Sequence, residues 1–299
     1  MSRRTSPARA RAGAERGSRQ GARPAPEKKA PKGGRNLPAA IAVGLGLLAV
    51  VGASLVYRPV AFVALVVVVL CGAVWELSRA FARKDVHIPV VPLVVGTTGI
   101  LVSSYYSGAE ALMVSYLLTV GGVVVWRALE GSGPAAVRDA AAAVFAATYL
   151  PFLAAFVMLM LASDQGPSRV ALFILLVVAS DTGGYVAGVL FGRHPLAPTV
   201  SPKKSVEGMA GSFVLAIVVG LVGAHVLGAD PWVGAMLGVA VPITATIGDL
   251  AESLLKRDLD LKDMGSLLPG HGGILDRLDS LLMTAPFAYL LMAYAVPLS

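Results

Sequence analysis

Nine blocks of apolar residues, separated by short polar stretches, run through most of this chain. A bilayer core of about 30 Å takes roughly 20 apolar residues in helical form. The pattern meets that need at 37–56, 59–76, 88–104, 109–126, 140–162, 169–191, 206–227, 231–249 and 281–298. It predicts an all-α, polytopic integral membrane bundle of about nine transmembrane helices, with the second and third spans short and bounded by proline. Three regions follow: a tail at 1–36, N-terminal transmembrane helices at 37–139, and a transmembrane region at 140–299 whose polar loops, 192–205 and 250–280, hold most of the candidate chemistry.

Composition agrees, at 56% hydrophobic and 14% charged with a mean hydropathy of +0.73, against about 25% charged in soluble proteins. The single cysteine, Cys71, lies in an apolar block and excludes a disulfide framework or a cysteine-rich metal site. The net charge of +7 divides unevenly. Residues 1–36 hold eleven Arg and Lys against Glu15 and Glu27, a net +9, so the rest of the chain carries −2. With so few large apolar residues this tail is expected to be disordered. A basic tail ahead of a transmembrane helix fixes topology and sits on anionic lipid in preference to nucleic acid. It is too long, and the block after it too apolar, for a cleavable signal peptide.

The Lys/Arg bias orients the bundle. With the N-terminus cytoplasmic, the inward loops carry Arg79, Arg83, Lys84, Arg127, Arg138, Arg193, Lys203 and Lys204, together with all of 250–280. The outward turns hold little beyond Arg58 and Arg169.

Asp249, Glu252, Ser253 and Lys256 are spaced to share one face of a helix leaving the membrane. Asp249 closes an apolar span, so its carboxylate needs a cation or a basic partner, and a salt bridge to Lys256 or Arg257 would serve. The run PGHGG, 269–273, is a turn whose backbone can approach a ligand closely, phosphate among others. Asp276, Arg277 and Asp279 open the next helix, where acidic residues also suit the helix dipole. Asp249 and Asp276 flank this loop and would converge on a hard cation such as Mg²⁺ if it folds back. In SPKKSVEG, 201–208, Ser201 reads as a helix N-cap, with Lys203 and Lys204 in a first turn that favours them only if an anion binds there; the alternative is topological bias alone. Asp181, in SDTGGY at 180–185, is the one acidic residue expected deep in a span and must face the bundle interior, with close helix packing at Gly183 and Gly184 as the simpler reading. His87, His194 and His225 lack partners at useful spacing.

Ser253, Lys256, Arg257, Lys262, Asp263, Pro269, His271, Gly272, Gly273, Asp276, Arg277 and Asp279 together resemble the C-terminal motif of the phosphatidate cytidylyltransferases, the bacterial CDP-diacylglycerol synthases. SDTGGY and SPKKSVEG are similar to that family's two upstream motifs, and the likeness covers about 140–299. Ser205 and Val206 depart from the commoner Thr and aromatic residue. The resemblance implies transfer of CMP from CTP to phosphatidic acid with release of pyrophosphate, by a homodimer in the bacterial inner membrane acting on the cytoplasmic side. It implies Mg²⁺ on Asp249 and Asp276, with a second cation left open, and places Lys256 and Arg257 beside them in catalysis. Ser201, Lys203, Lys204, Glu207, Ser253, Lys262, Asp263, His271, Gly272, Gly273, Arg277, Asp279 and Asp181 are the implied substrate contacts. A carrier would instead concentrate polar groups at the midplane of repeated halves, a pattern absent here. A transferase acting on another lipid phosphate is the nearer rival.

Overall fold

The computed structural model describes Gly46 and residues 49–198, 200–265 and 272–295, the side chains of Pro202 and Lys203 excepted. The tail, most of the first predicted span, Pro269 and His271 lie outside the described residues. Residues 49–57 are helical and stop at Arg58, whose extended backbone is followed by Pro59 at the start of α1 (Pro59–Ala82). Proline suits that position because a helix has no use for its first N–H.

The next element, α2 (Val90–Glu130), is 41 residues long and breaks at Gly108, with φ 78° and ψ −162°. In a straight helix Gly96 and Thr119 would stand roughly 35 Å apart, yet a Cβ added to Gly96 would lie 2.2 Å from Thr119 Cγ2. Ser103 Oγ also donates to Ser115 Oγ at 3.0 Å. The element is therefore a hairpin of two arms, which are the predicted blocks 88–104 and 109–126. Glycine at position 108 supplies the left-handed backbone for the reversal.

The following span runs through α3 (Pro134–Ala147), a π-helical turn at Thr148–Phe152 and α4 (Leu153–Ala162). Pro151 has no N–H to give an α-helical bond, and the wider turn absorbs the loss. This span starts six residues earlier than the predicted 140, because Pro134 suits a helix start and the alanines after it favour the helix. Then come α5 (Gly166–Phe191), strands β1 (Pro195–Ala197) and β2 (Ser201–Ser205), α6 (Val206–Val226), α7 (Pro231–Asp258) and α8 (Leu275–Ala295). The strands form an antiparallel ribbon, and the other regular elements among the described residues are helical.

Among the described residues seven helices are long and apolar enough to cross a membrane. Counting the two arms of α2 separately makes eight crossings, and the first predicted span, 37–56, which would complete nine, is described mainly in its second half. In the loops expected to face inward, Arg127 pairs with Asp139 at 2.6 Å and Lys84 with Asp260 at 2.5 Å. The Lys84 ammonium holds the Asp260 carboxyl below its ordinary range.

Small residues bring α5 to α8 close enough for their polar groups to meet. A Cβ on Gly183 would lie 2.4 Å from Gly211 O, one on Gly220 would lie 2.2 Å from Gly234 O, and one on Gly248 would lie 2.4 Å from Asp279 O. Backbone approach of this kind is how helices associate where lipid removes the hydrophobic drive.

Candidate active site

The helix carrying Asp249 runs nine residues past the predicted end of its span, through Asp258. Leu250, Leu254 and Leu255 keep the 3.6-residue apolar rhythm going, so Asp249, Glu252, Ser253 and Lys256 stand on the expected stripe. The helix opposite, α8, starts at Leu275 and carries Asp276 and Asp279 in its first two turns. Between α5, β2, α6, α7 and α8 opens a cavity of about 330 Å³, lined among others by Asp181, Lys204, Asp249, Asp276 and Asp279.

Lys204 reaches the cavity by a different route from the one expected. Ser201 is not an N-cap: residues 201–205 pair as β2 with 195–197, so the lysines lie on a strand and not in a helix's first turn. Ser205 caps instead, its Oγ accepting the Gly208 N–H at 3.0 Å. Strand pairing satisfies the backbone of 201–205 without a helix, which removes the conflict between lysines and the helix dipole. Lys204 Nζ then sits 2.5 Å from Asp249 Oδ2. Lys204 is thus a basic partner of Asp249, while Lys256 pairs with Glu252 and Asp276.

Glu207 turns to the ribbon: it meets His194 Nδ1 at 2.6 Å and accepts the N–H groups of Arg193 and His194 at 3.1 and 3.2 Å. It latches the turn after α5 and does not line the cavity, and His194 has the partner that its sequence spacing concealed.

The acidic residues divide into two groups. Asp249, Glu252 and Asp279 place one carboxylate oxygen each within 4.8 Å of one another. Glu252 is 1% exposed and its Oε1 has no hydrogen-bond partner among the described residues. Asp276 lies on the same cavity wall, but its oxygens accept from Lys256 Nζ at 3.0 Å, Met264 N at 3.0 Å and Gly273 N at 2.8 Å. Asp249 and Asp276, the expected pair, line one cavity, and Asp279 and Glu252 join Asp249 in its tightest acidic group among the described residues. Asp276 also reaches α7, through Lys256, and at the same time ties down the segments on either side of the loop before it.

Of the remaining predicted contacts, Lys262 and Asp263 are exposed on the segment after α7, Arg257 and Arg277 are exposed on their helices, and Ser253 is half-buried away from the cavity lining. Gly272 takes φ 86° beside the Asp276 carboxylate, and Gly273 donates to it. His271 and the side chain of Lys203 lie outside the description.

Asp181 lines the cavity but is exposed there, and it is not the sole acidic residue in a span. Glu76, 2% exposed in α1, is more deeply buried and was missed. An acidic residue at the inner edge of an apolar block was the available signal. Glu252 stood in the predicted stripe without a role.

These helices and the cavity they enclose fall within residues 38–295, which match the cytidylyltransferase family, and the chain belongs to that family. It is similar to the phosphatidate cytidylyltransferase of Mycobacterium leprae, 40% identical over 281 residues that span 89% of this chain and 90% of that protein. With the phosphatidate cytidylyltransferase of Mycobacterium bovis it shares 39% identity over 286 residues, 91% of this chain and 94% of the relative. A shorter match, 44% over 116 residues, joins 38% of this chain to 43% of the Bacillus subtilis phosphatidate cytidylyltransferase.

Proposed function

We propose that this protein is a phosphatidate cytidylyltransferase working at the cavity between α5, β2, α6, α7 and α8. A phosphate oxygen of phosphatidic acid attacks the α-phosphorus of CTP; the new P–O bond gives CDP-diacylglycerol, and the bond to the β-phosphate breaks to release pyrophosphate. The observation that carries this is the meeting of Lys204, Asp249, Asp276 and Asp279 in one polar cavity set into a membrane bundle of this family.

Two polyanions must approach each other, so positioning and charge neutralisation carry most of the catalysis. Lys204 has three donors, of which one faces Asp249, and it stands where a nucleotide phosphate would enter. Lys256 spans Glu252 at 2.8 Å and Asp276 at 3.0 Å, and so orders the acidic wall. The attacking phosphate monoester is already largely ionised near pH 7, its second pKa being about 6. No strong general base is required.

The donor set fits a hard divalent cation. Three carboxylates meet, one buried oxygen of Glu252 lacks a hydrogen-bond partner among the described residues, and all the ligand atoms are oxygens. Asp249 and Asp279 would hold Mg²⁺, with Glu252 behind them and Asp276 on the same wall. Bound there, the ion would neutralise charge on the triphosphate and on the departing pyrophosphate. The homodimer and the inner-membrane location belong to the same reading. The Lys/Arg bias of the loops supports a cavity open to the cytoplasm.

The test is full-length protein purified in detergent and supplied with CTP, phosphatidic acid and Mg²⁺. CDP-diacylglycerol should form, and Asp249→Asn and Asp279→Asn should each slow it by about 100-fold or more. Product from another lipid phosphate alone would redirect the assignment of substrate. Undiminished rates in both variants would remove the metal assignment.

A further inference from the structure

Glu76 belongs to α1, a helix that contributes no residue to the lining of the reaction cavity, yet its carboxylate reaches the start of α8. Its Oε2 accepts the N–H of Leu275, the first residue of that helix, at 3.1 Å across 199 positions of sequence. The first N–H groups of a helix have no partner within it and need an acceptor from elsewhere. Local sequence cannot give the usual one, since Gly273 and Ile274 precede Leu275 and neither carries a side-chain acceptor.

The residues flanking 266–271 pack against this carboxylate. A Cβ on Gly265 would lie 2.2 Å from Glu76 Oε1, and one on Gly273 would lie 2.7 Å from Oε2. The two chain segments that enter and leave the 266–271 stretch thus close on Glu76 from either side. Asp276 joins the same two segments by accepting from Met264 N and Gly273 N. Glu76 is not engaged by its helix neighbour Arg79, whose guanidinium carbon lies 4.6 Å over the Trp75 ring. Its Oε1 has no hydrogen-bond partner among the described residues.

We propose that Glu76 is a positioning residue for the transfer: from the N-terminal half of the bundle it caps α8 and clamps the neck of the loop, which sets where Asp276 and Asp279 stand against Asp249. This rests on the reaction proposed above.

The experiment compares Glu76→Gln, Glu76→Ala and Gly265→Ala with the wild type, all full-length in detergent. Gln keeps an oxygen for the Leu275 N–H and should hold kcat within about 3-fold. Ala removes the acceptor and should lower kcat by about 30- to 100-fold, the order expected when a reacting constellation shifts by about 1 Å. KM for CTP and for phosphatidic acid should change far less. Hydrogen exchange should accelerate in Glu76→Ala at 272–276 while α5 and α6 keep their protection. If Glu76→Ala does not fold, Gly265→Ala presses on the same carboxylate from the loop side and should give the same loss of kcat. In the double variant the two losses should not multiply. Wild-type kcat in Glu76→Ala, or equal losses in the Gln and Ala variants, would overturn the proposal. A wild-type protein that makes no CDP-diacylglycerol would instead count against the assigned reaction, and the exchange data would still read the clamp by itself.

Discussion

Lys256 is the residue on which the acidic wall balances. Its ammonium lies 2.8 Å from Glu252 and 3.0 Å from Asp276, with 18% of its side chain exposed, so it compensates a carboxylate that water barely reaches. Breaking a buried pair from one side costs more than the pair is worth, because the other charge stays behind without a partner. Lys256→Met is therefore expected to destabilise the protein by about 3 kcal/mol, seen as a lower thermal midpoint in detergent. Adding Glu252→Gln should recover part of that loss, since the double variant leaves no orphaned charge. If Lys256→Met melted like the wild type, the pair would be a surface ornament. Sequence spacing could place Lys256 on a stripe with Glu252, but not decide which of the flanking basic residues would face Asp249. That partner, Lys204, comes from a strand 45 positions away, and only the fold of the ribbon reveals it.

Elements were legible wherever apolar rhythm ran long. The two arms of α2, the extension of α7 and the early start of α8 all follow from hydrophobic spacing, including the helical stripe that carries Asp249. What the rhythm could not show was short-range competition. Residues 201–205 could cap a helix or pair as a strand, and pairing with 195–197 won because it satisfies several backbone groups where a cap satisfies one. Nor could rhythm show how tightly α7 and α8 approach. Gly248 stands against the Asp279 carbonyl, where a Cβ would lie 2.4 Å from that oxygen. Gly248→Ala must therefore push α8 away from α7 at the level of Asp249 and Asp279. Activity should fall by about 100-fold, with the protein still inserted and monodisperse by size-exclusion chromatography. An active Gly248→Ala enzyme would mean that the distance between these carboxylates is not critical.

At the scale of the whole molecule, the Lys/Arg bias of the loops predicts which face of the bundle meets the nucleotide. The loops expected to face inward hold the ion pairs Lys84 with Asp260 and Arg127 with Asp139, as well as the ribbon bearing Lys204. The turn at 163–165, expected to face outward, connects α4 to α5 in three residues. CTP is a polyanion made in the cytoplasm and does not cross lipid, so the cavity works only if this crowded face is the inner one. Cys71 is the sole cysteine, and Cys71→Ala gives a background in which one new thiol reports its own side of the membrane. A cysteine at Lys262, exposed beyond the end of α7, should react with a membrane-impermeant maleimide in inside-out vesicles and stay silent in intact spheroplasts. A cysteine at Asp164 should do the reverse. Labelling of Lys262→Cys from outside would turn the cavity away from its nucleotide, and no arrangement of the carboxylates could then sustain the reaction.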